Sequence, residues 1–359
     1  MKILNIYFGT RGLSGLYVKE VVRVQKEVFD KVYSVLSFHS LYKYGNSLVY
    51  LISDSNFASF LPSKIRLVIR YIELITSMIF SVVIIIICRP NFVNYSITMY
   101  RFEELIFLKL LKKFNIKLII TIHDAVLHQN KNISSNYRRR NRHKILCISD
   151  YALVHNSFSE SEVLKINKEV KIINHPFPCS RIPLSIKKDH LKDVRLDDYL
   201  FIGHARNEKG INFLLETWSL KLFVNNRLKI SGSDPFGILN KFSQKNKNIL
   251  IKPFYISDNE FVKELCGNKF IVLPYTEGTN SQIPFLALSC GCIPLMSDVP
   301  AFNYFSQSTK LTFKSEDKLD FEKLVEITSY ASVNPTSILS LYNEYYSKHT
   351  IIAYKKILI

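Results

Sequence analysis

Apolar residues along the chain fall into two alternating series, in which short continuous runs are followed by longer runs with a spacing of three to four. Continuous runs suit strands buried on both faces of a parallel sheet, and the wider spacing suits helices packed on that sheet. In the first series, residues 2–8 read as a strand, residues 9–15 (GTRGLSG) as a glycine-rich turn, and residues 16–29 as a helix with Leu16, Val21, Val24 and Val28 on one side. Residues 30–38 and 48–52 read as further strands and 62–80 as an apolar helix. The run Val82–Ile87 stays open between the two states: its β-branched residues favour a strand, yet the helical pattern leads straight into it. Residues 91–97 read as a strand and 103–113 as a helix with Leu105, Leu108 and Leu111 inward. The continuous apolar run 117–124 ends in His123 and Asp124. Residues 152–155 form a short strand, a helix with capping chemistry begins at Glu160, and the strand 170–173 runs into Asn174-His175-Pro176.

The polar, proline-containing stretch 178–198 reads as a linker. A second series opens with the strand 199–203 and a loop carrying Arg206 and Lys209-Gly210. A helix at 211–219, strands at 228–231 and 249–252, and a helix from Asp258 follow. The strand 270–274 then feeds YTEGTNSQIPFLALSCGCIP, Tyr275 to Pro294, where a small-residue loop leads into a helix stopped by Gly291 and Pro294. Residues 343–358 carry a last helical pattern. The expected fold class is α/β: two facing, doubly wound, Rossmann-like domains. The expected boundaries are 1–178, 179–342 with the linker at its start, and a helix 343–359 that crosses back to the first domain.

At 359 residues, 47% hydrophobic and 22% charged, the chain has enough apolar surface for two cores and no long disordered stretch. The six cysteines have no paired spacing that suggests zinc or a redox pair and read as reduced thiols of a cytoplasmic protein. Net charge is +18, and most of the excess lies in the first half: residues 1–180 carry 25 Lys and Arg against 12 Asp and Glu, and residues 181–359 carry 23 against 18. The excess peaks at Arg138–Lys144, where five of seven residues are cationic. The apolar stretch Leu74–Cys88 is short of the ~20 residues that span a bilayer, which suits a buried or membrane-surface element. Charge and apolar stretch together point to peripheral contact with an anionic membrane at its inner, cytoplasmic face. A basic nucleic-acid-binding protein is the reading from another class, but cations and aromatics are not interleaved in a recognised module and no nucleic-acid partner is expected.

Chemistry concentrates at loops that follow strands. Arg206 and Lys209 stand three apart after a strand and suit a bidentate and a point-charge contact to a diphosphate. Ser281 and Gln282, at the start of the helix in 275–294, offer backbone N–H groups to phosphate. His123 and Asp124 end a buried strand, where open parallel sheets place their ligands.

Several short motifs also fall in a familiar order, and through them the chain resembles the glycosyltransferases of the GT-B fold, specifically family 4 (group 1). They are Ser14-Gly15, Thr121-Ile-His-Asp124, Val154-His-Asn-Ser-Phe-Ser159 and Asn174-His-Pro176, then Phe201-Ile-Gly203, Arg206 with Lys209-Gly210, Pro253-Phe-Tyr-Ile-Ser-Asp258, and Pro274-Tyr275 leading to Gly291-Cys-Ile-Pro294. The resemblance implies a retaining hexosyltransferase that moves a sugar from a nucleotide diphosphate donor to a hydroxyl of a cell-surface glycan or lipid-linked acceptor of the lipopolysaccharide type, as in polysaccharide biosynthesis. It implies His123, Asp124, Arg206 and Lys209 as catalytic residues. The implied donor site comprises Ser14, Gly15, Gly203, Arg206, Lys209, Tyr255, Ile256, Glu277, Thr279, Ser281, Gln282 and Ile283. Neither metal nor cofactor is implied, the cationic pair and helix terminus standing in for a metal. The chain departs from the family's paired glutamates: the matching positions are Gly278 and Leu286, Glu277 is one residue off the first, and Gln282 stands where a related branch has glycine. Donor sugar, base and ribose contact therefore stay open, as does a degenerate, inactive member of the fold.

Overall fold

The computed structural model describes the chain apart from residues 9–13, 37–61, 97–99, 124–132, 192–194, 220–222, 224–225, 240–247, 279 and 331–332. Asp124, Thr279 and the strand expected at 48–52 thus lie outside the described residues. The rest divides into two compact units, Met1–Pro178 with Tyr345–Ile359, and Cys179–Glu344.

In the first unit, the strands β1 (Lys2–Tyr7), β2 (Lys31–Leu36), β3 (Phe92–Tyr95), β4 (Lys117–Thr121), β5 (Tyr151–Val154) and β6 (Lys171–Asn174) form one parallel sheet in the order β2-β1-β3-β4-β5-β6. Parallel neighbours need crossovers, and these are right-handed, so the direction of each step decides which face its helix covers. The step from β1 to β2 puts α1 (Ser14–Gln25) on one face, where Tyr17, Val18 and Val21 pack with Ala353 and Tyr354. The steps from β2 onward run the other way. They put α2 (Ser63–Cys88), α3 (Phe102–Lys112), α4 (Ile133–Ile148) and α5 (Ser157–Ile166) on the opposite face, over a core that includes Ile85, Leu108, Ile145 and Val163.

Val82–Ile87 is helical, the last part of a 26-residue α2 that ends at Arg89 in the left-handed region (φ 45°), just before Pro90. The helix that carries the 15-residue apolar stretch Leu74–Cys88 is therefore much longer than that stretch. Helix wins over β-branched preference because Ser77, Ser81, Ile84 and Ile85 fall on one buried side, and the Ser81 hydroxyl caps the Ser77 carbonyl at 2.7 Å. The basic run 138–144 lies on α4 but is divided: Arg138, Arg139, Arg140, His143 and Lys144 are exposed, while Asn141 and Arg142 are buried.

A buried polar ladder crosses the first unit. Thr121 Oγ1 donates to Asn94 Oδ1 (3.1 Å), Asn94 Nδ2 to Asn5 Oδ1 (2.9 Å), Asn5 Nδ2 to Gln25 Oε1 (2.6 Å) and Gln25 Nε2 to the Tyr354 hydroxyl (3.0 Å). Each rung removes a desolvation cost that an unpaired amide would carry, and the chain of rungs fixes both α1 and the 345–355 stretch on this face.

The second unit begins with Ile182 buried and a short helix α6 (Leu184–Lys187), whose Lys187 donates to the Ser289 carbonyl, so the expected linker packs as part of this unit. Its sheet contains β7 (Leu196–Ile202), β8 (Leu228–Ser231), β9 (Ile249–Lys252), β10 (Asn268–Leu273), β11 (Ile293–Ser297) and β12 (Thr312–Phe313), parallel throughout, in the order β12-β11-β10-β7-β8-β9. Counted from β7 this is the strand order 3-2-1-4-5-6, so the direction of winding reverses between β7 and β10. The helices are α7 (Ile211–Trp218), α8 (Asp258–Gly267), α9 (Ile283–Ser289), α10 (Asn303–Ser308) and α11 (Lys318–Tyr330). Tyr199 of β7 stacks on Phe270 of β10 at 5.0 Å, which packs the two central strands against each other's side chains. The last helix, α12, runs Pro335–Lys355, beginning eight residues earlier than its sequence pattern suggests.

Candidate functional site

In an open parallel sheet the ligand crevice lies outside the carboxyl ends of the strands where winding reverses, here β7 and β10. Gly203 follows β7, and a single helical turn Asn207–Lys209 closes at Gly210. Gly210 has φ +66°, and a Cβ there would lie 1.6 Å from the Pro274 carbonyl oxygen at the end of β10. The loop after β7 is thus pressed directly onto the end of β10. Thr276 and Glu277 reinforce this by donating their amides to the Glu208 carbonyl at 3.1 and 3.4 Å. Gly210→Ala is expected to destabilise the second unit by roughly 2–4 kcal/mol, the left-handed penalty and the overlap acting together. Urea unfolding followed by Trp218 emission measures it; an unchanged midpoint would mean that the loop leaves β10 at no cost.

Two cations project from this loop. Lys209 Nζ lies 3.7 Å from the centre of the Tyr275 ring, and Tyr275 is itself buried against Phe302 at 5.2 Å, its carbonyl accepting from Ser297 Oγ at 2.6 Å. A cation over an aromatic face gains about 0.5–2 kcal/mol, which holds an otherwise flexible ammonium in place. Arg206 Nη1 is 3.5 Å from Glu208 Oε1, a half-exposed pair that restrains the guanidinium only weakly. His204 bonds Ser233 Oγ, and burial, then Arg206 and Lys209, lower its pKa, so it stays neutral while the charge at this mouth comes from the two cations.

The remaining expected donor residues divide. Glu277 is exposed beside this loop, and the Gly278 carbonyl accepts the Ala301 amide at 3.0 Å. Ser281 is buried and Gln282 precedes the helix rather than opening it: α9 has seven residues from Ile283, and Pro284 supplies no N–H in its first turn. The number of donors that this terminus offers phosphate is therefore smaller than the sequence suggested. Tyr255 and Ile256 lie between β9 and α8, where they line a cavity of about 260 Å³ with Ser231, Lys252 and Glu264. Neither Arg206 nor Lys209 lines that cavity. Among the described residues, no group of three or more His, Cys, Asp or Glu is placed to hold a metal ion.

In the first unit, Ser14 and Gly15 open α1, two residues earlier than expected, and the three strands β4, β5 and β6 each lead into a histidine. His123 Nε2 donates to the Ser96 carbonyl at 2.7 Å, and its ring lies 4.7 Å from Tyr17 and 6.2 Å from His155. His155 Nδ1 donates to the His175 carbonyl at 3.2 Å, so in the neutral ring Nε2 accepts from the Tyr17 hydroxyl at 2.9 Å. Burial holds the His155 pKa well below the ordinary value, with His175 and His123 adding to it, and burial lowers that of His175 to about 4. The hydroxyl of Tyr17 is pushed up by burial and stays a donor. His155, His175, Tyr17, His204 and Tyr275 had no assigned role in the sequence reading. The available signal was positional: three histidines stand within two residues of the ends of three consecutive strands.

No protein-family model matches the chain, and no curated protein sequence matches it. Solved structures do. Sucrose-phosphate synthase from Thermosynechococcus elongatus matches with a TM-score of 0.58 at 12% identity, covering 98% of this chain and 93% of that one. The chain has the GT-B fold. HepE from Anabaena, in complex with UDP and glucose, shares the GT-B fold at a TM-score of 0.58 and 10% identity, covering 100% of this chain and 98% of that one. UDP-GlcNAc 2-epimerase from Methanocaldococcus jannaschii matches at 0.53 and 14% identity, covering 93% and 95%. The GT-B fold is thus common to a synthase of a sugar phosphate and an epimerase of a sugar nucleotide, and the assignment of chemistry rests on this chain's own residues.

Proposed function

We propose that the chain is a retaining glycosyltransferase that moves a hexose from a nucleotide diphosphate sugar to a hydroxyl of a glycan or lipid-linked acceptor. The observation that carries this reading is the Lys209 ammonium seated on the buried Tyr275 ring, beside Arg206, where the winding of the second sheet reverses. A positioned ammonium with a guanidinium on the same loop suits a diphosphate whose charge grows as the sugar–oxygen bond breaks, so the two cations stabilise the departing group as well as bind it. They fill the role of a divalent ion, and no metal or cofactor is needed. The sugar leaves with its bonding electrons on phosphate, the acceptor oxygen attacks the same face, and the acceptor proton passes to a departing phosphate oxygen. That route needs no carboxylate nucleophile. The first unit's share of this reading is His123, whose ring the Ser96 carbonyl fixes and to which we assign contact with a sugar.

A panel of nucleoside diphosphates and sugar nucleotides tests the reading by thermal stabilisation, since a ligand at 100 times its Kd adds about 2.7 kcal/mol. At least one member should stabilise the chain and, with a supplied acceptor, release nucleoside diphosphate. If none stabilises it, or if the bound sugar is epimerised without transfer, the transferase reading fails.

A further inference from the structure

Helix α2 is apolar on the side that faces water. Its core side carries Ser77, Met78, Ser81, Ile84 and Ile85, all buried. The opposite side carries Ile65, Val68, Ile72, Ile79, Val83 and Ile86 at the three-to-four spacing of a single stripe, exposed at 48, 58, 58, 62, 45 and 53%. Thr76 lies on the same side and turns its hydroxyl back to the Ile72 carbonyl at 2.9 Å. Apart from the exposed Lys64 in the first turn, the charged residues of α2, Arg66, Arg70 and Glu73, fall instead towards the core side and are half-buried. A surface helix of a soluble domain has the reverse arrangement.

The stripe continues onto the next helix of the layer. α3 exposes Phe102, Ile106 and Leu110, again along one side, and α3 packs beside α2, which sets the two stripes next to each other. α4, which packs on α3, exposes Arg138, Arg139, Arg140 and Lys144, while Arg142 turns inward to lie 5.9 Å from the Tyr100 ring. Lys109, Lys112 and Lys113 add exposed cations at the end of α3. A run of six branched apolar side chains along about 30 Å of helix, continued by aromatic and aliphatic residues and bordered by cations, exceeds the scattered exposure of an ordinary surface.

We infer that the outer side of the α2–α3 layer inserts shallowly into an anionic lipid bilayer, with the exposed α4 cations at the phosphate headgroups. Three features select this occupant. The stripe is a convex ridge rather than a groove, and fluid acyl chains accept a ridge without a matching cavity. The cations beside it complement anionic headgroups. The third feature concerns orientation. The segment Lys64–Cys88 is long and apolar enough to cross a membrane. Yet α2 is the crossover between β2 and β3, which both pair with β1, and its core side is packed on the sheet. The helix therefore lies along the interface rather than across it. This inference is independent of the transferase reading and is tested without donor or acceptor.

The full chain is sedimented with phosphatidylcholine vesicles with or without phosphatidylglycerol, at low and high salt. Wild type should sediment with the anionic vesicles at low salt and be released by salt. Ile72→Asp with Ile79→Asp should lower binding at least tenfold, and Arg138→Gln with Arg139→Gln and Arg140→Gln should lower both binding and its salt dependence. Leu319→Asp, at an exposed position of the second unit, should bind as wild type does. Far-UV circular dichroism establishes which variants fold, and the arginine variant, made of exposed side chains only, keeps the test valid if the double aspartate variant does not. Wild type that stays in the supernatant at low salt, or variants that sediment equally well, would overturn the inference. So would a wild-type dimer that the aspartates convert to monomer, since the stripe would then belong to a second copy of the chain.

Discussion

Lys209→Ala is expected to lower transfer by well over tenfold at saturating donor while leaving the fold intact, with Arg206→Ala showing a loss of the same order. A charge-assisted contact to phosphate is worth about 1.5–3 kcal/mol in binding, and its value grows as the diphosphate gains charge in the transition state. Lys209 stands over the buried Tyr275 ring at 3.7 Å, so its position is set before any ligand arrives, whereas Arg206 is restrained by a half-exposed pair with Glu208 at 3.5 Å. The two variants should therefore differ in kind. Loss of Lys209 should weaken the nucleoside diphosphate much more than the bare nucleoside, because the ring contact fixes a phosphate-directed charge and touches no base. Calorimetry with both ligands, alongside turnover, checks this; equal weakening of the two, or wild-type turnover in both variants, would make these residues ordinary surface cations.

Acid should loosen the first unit strongly. His175 is fully buried, its Nδ1 donates to the Pro176 carbonyl at 2.8 Å, and its Nε2 has no hydrogen-bond partner among the described residues, so a proton added there would be a poorly paired buried charge. Burial lowers its pKa to about 4 from 6.5. Between those values the unfolded chain binds the proton and the folded unit does not, so stability is complete above about pH 6.5 and falls as the pH drops towards 4. The loss from His175 alone is about 3 kcal/mol between pH 7.5 and pH 4, and His155, lowered by burial and by its histidine neighbours, adds in the same direction. Amide exchange of β5 and β6 in wild type and His175→Gln measures the contribution, since carboxylates shared by both proteins cancel. The variant should lose clearly less protection on acidification; an identical loss in both would place the acid sensitivity elsewhere.

The α/β class and the two Rossmann-like units could be read from the alternation of continuous and spaced apolar runs, because a strand buried on both faces has no other pattern. The state of Val82–Ile87 could not be read, since six branched residues satisfy a strand and a helix equally until the position of the core is known. For the same reason the outward stripe of α2 was invisible: hydropathy marks Ile72 and Ile84 alike, and only the packing shows that one is exposed and the other buried. At the candidate site, the spacing of Arg206 and Lys209 suggested a diphosphate contact, but the ring that positions Lys209 lies 66 residues further along the chain and shares no local pattern with it. His155 and His175 stood inside recognisable short segments without any sign of orientation. The pairing of His155 with Tyr17 depends on α1 folding over the strand ends, and His175 meets Tyr346 and Tyr354 from the far end of the chain.

The first unit also has an order of assembly. Its polar ladder ends on Tyr354, and residues 345–359 join it only after the whole of Cys179–Glu344 has been synthesised. At ~5–20 residues per second, a nascent chain waits roughly 10–30 s between completing β6 and receiving the helix that closes this face. Throughout that interval the Gln25 amide lacks its Tyr354 partner, and the part of the α1 face that Ala353 and Tyr354 cover is open to water. The first unit is thus the earlier to be made and the later to be finished, and chaperone capture or proteolysis during synthesis would fall on the α1 face.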